Sequence, residues 1–302
     1  MGDKLVDLLN RLAAGHEGAA VAGADTITIG LIGRGIQSSR TPRMHECEAR
    51  RLGIGYSYLL LDFDRLGLGD EAIGDVVGAA QAAGFHGLNI THPFKQSVIP
   101  VLDQLSSDAQ AIGAVNTVVF DGKAKHGHNT DSWGFAESFS DAMSDARMDH
   151  VAMFGAGGAG AAVAHALIKI GVGRLSIVDS EASRADELAA RMAAMFGTRV
   201  ASSLGTEETI RAVDGIVNAT PVGMEKYPGT PFDTALLASD QWVADIIYFP
   251  TETELLRKAR VAGCRTLPGT GMAIYQAVRA FELFSGREAD RSAMAGHFEA
   301  AA

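Results

Sequence analysis

The chain has 302 residues, 47% hydrophobic and 21% charged, which is enough apolar material for two cores. Its net charge of −10 disfavours non-specific attraction to nucleic acid or anionic lipid, so neither is expected as a partner. Cys47 and Cys264 are too few for a disulfide framework and lack metal-ligand spacing. No apolar run reaches about 18 residues, and the first residues do not resemble a signal peptide, so the sequence predicts a cytoplasmic protein.

The N-terminal part of the chain begins with helical apolar spacing over Leu5–Ala13, followed by a linker to about residue 25. This segment is interpreted as an appended helix without chemistry of its own. From Thr26, short apolar runs alternate with amphipathic stretches, which predicts a parallel α/β layer. Strands are expected at Thr26–Ile32, Tyr56–Leu61, Leu88–Ile90 and Val115–Phe120, and helices near 42–52, 71–83 and 95–102.

After Asp131 the alternation restarts, and it predicts a doubly wound nucleotide-binding domain. Strands are expected at Val151–Phe154, Leu175–Asp179, Gly215–Asn218 and Val243–Ile247, and helices near 159–170, 183–196 and 252–262. Two final helices, Ala273–Phe284 and Asp290–Ala301, are expected to return to the first domain. The predicted architecture is therefore a two-domain α/β protein, with a substrate domain at 1–131 plus 272–302 and a Rossmann domain at 132–271.

A glycine-rich loop follows the predicted strand Val151–Phe154 and has the GxGxxG spacing of dinucleotide-binding proteins. Gly155 permits a tight turn, Gly157 and Gly158 let a pyrophosphate approach the backbone, and Gly160 allows close contact between strand and helix. The N-terminus of the following helix offers unpaired N–H groups to the anion. The alternative is a glycine-rich turn that only packs, but the flanking strand and helix favour dinucleotide binding.

Asp179 ends the next predicted strand, about 20 residues after Gly160, where a carboxylate can accept hydrogen bonds from the adenosine ribose. The same charge repels a 2′-phosphate, so NAD is the predicted cofactor and NADP is less favoured. Arg184 leaves an alternative open, because its guanidinium could pair with a 2′-phosphate, neutralise Asp179, contact the adenine or lie on a solvated helix.

Polar residues also gather near the predicted strand ends of the first domain. Thr41 before Pro42 is a good helix N-cap, and the Ser39 and Thr41 hydroxyls could instead bind a carboxylate. Lys95 stands at the start of a predicted helix, where a cation opposes the helix dipole and so hints at function.

Two further polar residues, Asn116 and Asp131, are placed at strand ends or loops that usually face the ligand crevice of an α/β fold. Each has a structural alternative: a turn former for Asn116, a helix N-cap for Asp131 and a surface charge for Lys95. Gln276, on an otherwise apolar helix, could satisfy a buried backbone group. The nine histidines show no metal-binding spacing, so no metal is expected.

Six segments in this order resemble the motifs of the shikimate dehydrogenase family. They are Ser39–His45, Asn89–Lys95, Gly113–Thr117, Asn129–Asp131, Asn218–Met224 and Gly271–Ala277. The resemblance runs from about Thr26 to the C-terminal helices.

Carried over position by position, the resemblance implies roles for individual residues. Substrate and catalytic roles fall on Ser39 and Thr41 (carboxylate), on Thr91, Asn116 and Gln276 (ring hydroxyls), and on Lys95 and Asp131 (the catalytic pair). Beside the glycine loop, Asp179 and Arg184, the loop containing Thr220 and the segment containing Met272 would contact the cofactor, although Met272 could equally fill the core.

Two departures from the family's biosynthetic pattern are typical of its NAD-dependent quinate/shikimate branch. Thr41 replaces the usual second serine, and Asp179-Ser180-Glu181 replaces the Asn-Arg-Thr that holds the NADP phosphate. The expected function is NAD-dependent oxidation of the C3 hydroxyl of quinate or shikimate, with lysine as the base. An NADP-linked biosynthetic enzyme and a non-catalytic regulatory paralogue that binds quinate or NAD are the alternatives, and a homodimer is left open.

Overall fold

The computed structural model describes residues 2–16, 18, 26–197 and 199–299. The chain forms two compact units. The first comprises the residues up to Thr130 and those from Gln276 onward, and the second runs from Asp131 to Tyr275. Both units are α/β, as the sequence predicts.

The first unit is built on a six-stranded sheet. Its strands are β1 (Thr26–Gly33), β2 (Gly55–Asp62), β3 (Gly87–Ile90), β4 (Gln104–Leu105), β5 (Thr117–Asp121) and β6 (Ala124–His128). Its N-terminal helices are α1 (Gly2–Ala14), α2 (Thr41–Leu52), α3 (Phe63–Leu66), α4 (Ile73–Ala82) and α5 (Ser107–Ile112). The strand order is β2-β1-β3-β5-β6-β4.

This sheet is mixed rather than wholly parallel. Strands β1, β2 and β3 are parallel, whereas β5 runs antiparallel to both β3 and β6. Strands β5 and β6 are antiparallel because a two-residue hairpin turn joins Asp121 to Ala124, in which Gly122 adopts a φ of 58°. A turn this short can join only antiparallel strands.

The helix predicted near 95–102 is wrong. Residues 92–98 form turns, and only a 3₁₀ turn follows at Ile99–Val101. Pro100 lacks the N–H that a continuing helix would need. Lys95 therefore does not stand at a helix N-terminus, and the helix-dipole argument for its function does not hold.

Helix α1 is part of the first unit's core and not an appendage. Leu5 and Leu9 are buried among the apolar side chains of α4 and β2. The predicted linker lies largely outside the described residues, at 17 and 19–25.

The second unit is built on a six-stranded, wholly parallel sheet. Its helices are α6 (Thr130–Met143), whose first residue belongs to the first unit, then α7 (Gly158–Lys169), α8 (Ala182–Phe196), α9 (Glu207–Arg211) and α10 (Glu254–Val261). Its strands are β7 (His150–Phe154), β8 (Arg174–Val178), β9 (Val200–Ser202), β10 (Gly215–Asn218), β11 (Trp242–Asp245) and β12 (Arg265–Leu267).

The strand order of this sheet is β12-β11-β10-β7-β8-β9. The order reverses between β7 and β10, and in doubly wound sheets ligands bind outside the carboxyl ends of the strands at that point. The glycine loop follows β7 directly and is placed there.

Two C-terminal helices complete the chain, α11 (Thr270–Ser285) and α12 (Arg291–Glu299). From Gln276 onward they belong to the first unit, where α12 packs against α2. The expected return of the C-terminal helices to the first domain is confirmed. In the described ranges, no helix is long and apolar enough to cross a membrane.

Candidate active site

The glycine loop after β7 is shaped by two close backbone approaches. Gly155 has a φ of 103°, and a Cβ on it would lie 2.6 Å from the carbonyl oxygen of Ala219. A Cβ on Gly160 would lie 2.1 Å from the carbonyl oxygen of Gly155. Both positions therefore require glycine, one for its conformation and both for space.

Gly157 and Gly158 differ, because a Cβ on either would meet nothing within 4 Å. Gly157 caps the N-terminus of α7, and its backbone is not in the left-handed region. Glycine is thus not needed there by the fold itself. The open space in front of a helix N-terminus, where N–H groups are unpaired, fits the pyrophosphate of a dinucleotide.

Asp179 directly follows β8, and backbone donors hold its carboxylate beside the glycine loop. Ala156 N–H donates to Asp179 Oδ2 (2.7 Å), and Glu181 N–H donates to Oδ1 (2.9 Å). A carboxylate has about four lone-pair sites, so both oxygens can accept further hydrogen bonds. The position and charge fit the ribose hydroxyls of NAD.

Arg184 lies on the solvent-exposed first turn of α8, with 61% of its side chain exposed. Its Nε is 2.8 Å from Glu181 Oε2. Of the alternatives for Arg184, an ion pair on a solvated helix is the one observed, although with Glu181 rather than Asp179. Exposed pairs of this kind contribute about 0–1 kcal/mol, so the guanidinium can readily exchange partners.

The loop after β10 is held by its own side chains. Thr220 Oγ1 donates to Asn218 Oδ1 (2.7 Å) and accepts from Val222 N–H (3.1 Å). Asn218 Nδ2 donates in turn to Asp245 Oδ1 (3.1 Å). The Thr220 hydroxyl therefore shapes this loop, whose backbone at Ala219 touches Gly155.

Asp245, at the end of β11, is a buried carboxylate that the sequence reasoning missed. Burial raises its pKa, and hydrogen bonds from Thr253, Ile247 and Asn218 oppose that rise only in part. The sequence feature that could have identified Asp245 is a carboxylate at the end of the apolar run Trp242–Asp245. Asp245 ties the loop after β10 to Thr253, the N-cap of α10.

Met272 has 8% of its surface exposed and lies beside Phe135, Ser138 and Asp245 within the second unit. This placement agrees with the alternative of core filling. Its predicted cofactor contact stays a prediction.

In the first unit, helix α2 begins at Thr41 and Arg40 stands at the cap position without a side-chain hydrogen bond to the helix. Of the two alternatives for Thr41, the helix N-cap is not observed, because Thr41 is itself the first helical residue. Among the described residues, the hydroxyls of Ser39 and Thr41 have no hydrogen-bond partner. Both side chains are partly exposed, so these hydroxyls can bind a ligand.

The loop before Ser39 is held by Asp62, the last residue of β2, which the sequence reasoning also missed. Its carboxylate accepts from the N–H groups of Gly35 (3.1 Å) and Ile36 (3.2 Å) and from Gln37 Nε2 (2.9 Å). Burial alone would raise the pKa of Asp62, but hydrogen bonds from Gln37, these two backbone groups and Asp64 N–H together lower it below its usual value.

Asn116 belongs to a buried polar network in the first unit. Tyr58 OH donates to Asn89 Oδ1 (2.7 Å), Asn89 Nδ2 to Thr117 Oγ1 (3.0 Å) and Thr117 Oγ1 to Asn116 Oδ1 (3.0 Å). Asn116 Oδ1 also accepts from Thr130 N–H (2.8 Å), and Asn116 Nδ2 donates to Thr130 Oγ1 (2.9 Å). Asn116 is 4% exposed, so it has at least a structural role in fixing the residue before Asp131.

Lys95 lies partly buried in the turn after Phe94. Phe94 is fully buried against Phe63, with ring centroids 4.4 Å apart, and anchors this turn. The Lys95 carbonyl accepts from Val115 N–H (2.7 Å), directly before Asn116. The backbone thus brings Lys95 and Asn116 to one edge of the first sheet.

Thr91 joins this edge directly after β3. Its N–H donates to the carbonyl of Ile32 on β1 (2.9 Å), and its methyl group packs against Gly33. Gln276 is partly exposed on α11 in the same unit, whereas Asp131 lies in the first turn of α6 and belongs to the second unit. An acidic residue there also favours the helix dipole, so the structural alternative for Asp131 is a first-turn residue rather than an N-cap. The pairing of Lys95 with Asp131 stays a prediction.

A buried pair next to Asp131 was also missed. Ser132 Oγ and His165 Nδ1 are hydrogen-bonded over 2.7 Å, and both side chains are buried. Ser132 lies on α6 and His165 on α7, so the pair joins the helix that carries Asp131 to the helix that begins at the glycine loop. In the described part of the chain, no group of three or more His, Cys, Asp or Glu residues could hold a metal ion.

Comparison with known proteins places these residues in a family. Residues 31–118 match the shikimate dehydrogenase substrate binding domain, and residues 269–296 match the shikimate 5'-dehydrogenase C-terminal domain. Shikimate dehydrogenase (NADP(+)) of Streptomyces avermitilis is 52% identical, over 89% of this chain and 94% of its own length. The chain belongs to the shikimate dehydrogenase family.

Other members of the shikimate dehydrogenase family agree in sequence and fold. Quinate/shikimate dehydrogenase (NAD(+)) of Corynebacterium efficiens is 47% identical, over 91% of this chain and 98% of its own. The structure of quinate dehydrogenase from Corynebacterium glutamicum in complex with NAD matches with a TM-score of 0.86 and 46% identity, covering 91% of this chain and 100% of that chain. The predicted family and fold class are confirmed.

Proposed function

We propose that the protein is an NAD-dependent dehydrogenase that oxidises the C3 hydroxyl of quinate or shikimate, reversibly, to 3-dehydroquinate or 3-dehydroshikimate. The observation that carries the proposal is Asp179, a carboxylate fixed beside a dinucleotide-type glycine loop in a chain of this family.

The cofactor preference rests on this local geometry, because similar relatives are named for both NADP and NAD. Asp179 can accept hydrogen bonds from ribose hydroxyls, whereas a 2′-phosphate would meet its negative charge. Glu181 adds a second carboxylate and pairs with Arg184, the nearby cation. These charges together favour NAD.

The substrate would bind in the first unit. The Ser39 and Thr41 hydroxyls would bind the carboxylate, while Thr91, Asn116 and Gln276 would contact ring hydroxyls. The match of residues 31–118 to the family's substrate binding domain supports this assignment. The second unit would hold the cofactor on Gly155–Gly160, with the loop of Thr220 and the segment of Met272 beside it.

The chemistry requires the C3 hydroxyl to lose its proton as its carbon loses a hydride. Bound NAD supplies the hydride acceptor. Lys95 would take the hydroxyl proton and return it in the reverse direction, and Asp131 would orient the lysine. The cytoplasmic location and the homodimer stay predictions from the sequence.

The second candidate, an NADP-linked shikimate dehydrogenase, is favoured by two observations: the name of the Streptomyces relative and the exposed Arg184, whose surface ion pair could give way to a phosphate. Asp179 opposes this reading.

Initial rates test the proposal. Quinate, shikimate and an unrelated polyol are each assayed with NAD and with NADP, and absorbance reports reduction of the cofactor. Turnover of quinate or shikimate with a higher kcat/KM for NAD is expected. Turnover mainly with NADP would support the second candidate, and binding of quinate without reduction of either cofactor would exclude an enzyme.

A further inference from the structure

His45 on α2 is a buried histidine to which the proposed chemistry assigns no part. Its side chain is 0% exposed. Nδ1 lies 3.0 Å from the Tyr56 hydroxyl, and Nε2 lies 3.0 Å from the carbonyl oxygen of Ala277. Burial lowers the pKa of His45 to about 3, against a smaller opposing effect of the hydrogen bond to Ala277, so the ring is neutral at physiological pH.

The two partners determine the tautomer of this neutral ring. A carbonyl oxygen can only accept, so the proton must be on Nε2 and is donated to Ala277. Nδ1 is then the acceptor, and the Tyr56 hydroxyl donates to it. The rings of Tyr58 and Phe281 meet the imidazole edge-on, with centroids at 5.1 and 5.5 Å, and restrict its rotation.

The hydrogen bond from His45 Nε2 to the Ala277 carbonyl, here called the His45 bridge, lies at both ends next to proposed substrate ligands. His45 is one helical turn after Thr41 on α2, and Ala277 directly follows Gln276 on α11. The hydrogen bond therefore links two places in the first unit. One is the start of α2, which carries the Ser39 and Thr41 hydroxyls, and the other is the α11 residue next to Gln276.

Other contacts also hold α2 to the C-terminal helices. Asp290 N–H donates to Glu48 Oε1 (2.8 Å), and Arg40 Nη1 donates to the carbonyl oxygen of Phe298 (3.3 Å). Both of these ties end at or beside α12. The His45 tie differs from them because it ends on α11, next to a proposed substrate ligand.

We propose that His45 is a positioning residue for the substrate pocket, which sets the distance between the carboxylate-binding hydroxyls on α2 and the Gln276 amide on α11. This inference rests on the proposed function. It assigns His45 a part in substrate affinity and not in the hydride or proton transfer.

Two amide variants separate the ends of the bridge. In His45→Gln the amide nitrogen can occupy the place of Nε2 and still donate to Ala277. In His45→Asn the amide nitrogen of the shorter side chain takes the place of Nδ1, near Tyr56, and does not reach the carbonyl of Ala277. Both remove the ring and introduce a buried amide, so they are matched for general destabilisation.

The expected result is a split between KM and kcat. His45→Asn should raise the KM for quinate or shikimate by about tenfold, as loss of one positioning hydrogen bond would, with kcat changed by less than about threefold and the KM for NAD unchanged. His45→Gln should restore most of the substrate affinity. Calorimetric binding of quinate gives the same comparison without turnover.

Val77→Ala is the control for loosening of the first unit, since Val77 is a fully buried core residue on α4 and takes no part in the bridge. It should lower the melting temperature and leave the substrate KM unchanged.

Three outcomes would overturn the inference. They are an equal rise of KM in Val77→Ala, an unchanged KM in His45→Asn, and equal KM values in the two amide variants. If either amide variant does not fold, Tyr56→Phe and His45→Leu are compared instead. Tyr56→Phe keeps the hydrogen bond to Ala277 and should keep the substrate KM near wild type, whereas His45→Leu removes that bond and should raise the KM. Equal KM values in these two variants would refute the positioning role. An inactive wild-type protein would instead refute the proposed function.

Discussion

Asp179 accepts backbone hydrogen bonds through both carboxylate oxygens, which fix its charge beside the glycine loop. Asp179→Asn removes the charge and one acceptor for the ribose hydroxyls. The ratio of kcat/KM for NAD to that for NADP should fall by about tenfold to a hundredfold, the range expected from one hydrogen bond to a charged group. Initial rates with both cofactors measure this ratio.

The control for this change is Asp186→Asn, which alters the same charge on the exposed side of α8, where Asp186 pairs with Ser202. It should leave the cofactor ratio unchanged. A wild-type ratio in Asp179→Asn would refute the role of Asp179.

Lys95 is the residue on which the proposed proton transfer depends. Lys95→Met keeps an apolar side chain of similar length and removes the amine, so kcat should fall by about 10²- to 10⁴-fold while quinate still binds. Steady-state rates and calorimetry measure the two effects. Lys123→Met, on the exposed hairpin turn between β5 and β6, should behave like the wild type. Near-wild-type turnover in Lys95→Met would exclude the lysine from catalysis.

Asp62 should make the protein's stability depend on pH in acid. Its folded pKa is lowered below its usual value of 3.8, so its ionised form stabilises the fold above about pH 4, and this contribution is lost as the pH falls through the lowered pKa. Asp62→Asn should therefore lower the free energy of unfolding at neutral pH and flatten its fall in acid. Urea unfolding between about pH 7 and pH 2 tests this.

The matched control for Asp62 is Asp121→Asn, at the exposed end of β5. It should retain the wild-type pH dependence. If Asp62→Asn loses stability in acid as steeply as the wild type, the hydrogen-bonded carboxylate is not the cause.

At the scale of elements, the loop between β7 and α7 contains glycines of two kinds. Gly157→Ala should leave the fold intact, because a Cβ meets nothing within 4 Å and φ is −74°. The same methyl group would enter the space proposed for the pyrophosphate, so the KM for NAD should rise about tenfold or more. Gly78→Ala on α4, where a Cβ also meets nothing, should not change that KM. Loss of folding in Gly157→Ala, or an unchanged KM, would contradict this interpretation.

Most strands and helices could be predicted because their apolar periodicity is strong and continuous. The β10 prediction, Gly215–Asn218, agrees with the observed strand to the residue. The helix near 95–102 failed because an apolar run containing Pro100 has helical spacing without the necessary backbone donor. The core role of α1 was missed because spacing shows an apolar face but not the surface that it covers.

Long-range pairs could not be predicted from one sequence. His45 lies 232 residues from Ala277, and Ser132 lies 33 residues from His165. A polar residue within an apolar stretch needs a hydrogen-bond partner, since an unpaired buried polar group costs about 1–3 kcal/mol of stability. The sequence does not show which residue that partner is. The order of the motifs indicated the candidate site residues. The residues that hydrogen-bond behind them, such as His45, are identified only by the structure.

At the scale of the whole molecule, the two units should respond to different ligands. Hydrogen exchange should show that NAD protects residues 155–160 and the start of α8, and that quinate protects residues 36–41 and the turn of Lys95. A ligand at 100 times its Kd stabilises the unit that it binds by about 2.7 kcal/mol, which is enough to slow exchange clearly. Shikimate serves as the matched second ligand for the first unit. Protection of residues 155–160 by quinate alone would contradict the assignment of the units.

The buried network from Tyr58 to Thr130 restricts how this protein can change. From Tyr58 through Asn89 and Thr117 to Asn116 each side chain donates to the next, and Thr130 N–H donates back to Asn116 Oδ1. Replacing Asn89, Thr117 or Asn116 singly would therefore leave a buried donor or acceptor without its partner. New substrate preferences should therefore arise at positions 39 and 41, whose partly exposed hydroxyls have no hydrogen-bond partner among the described residues. A mutant library for another polyol should randomise positions 39 and 41 and leave the network unaltered.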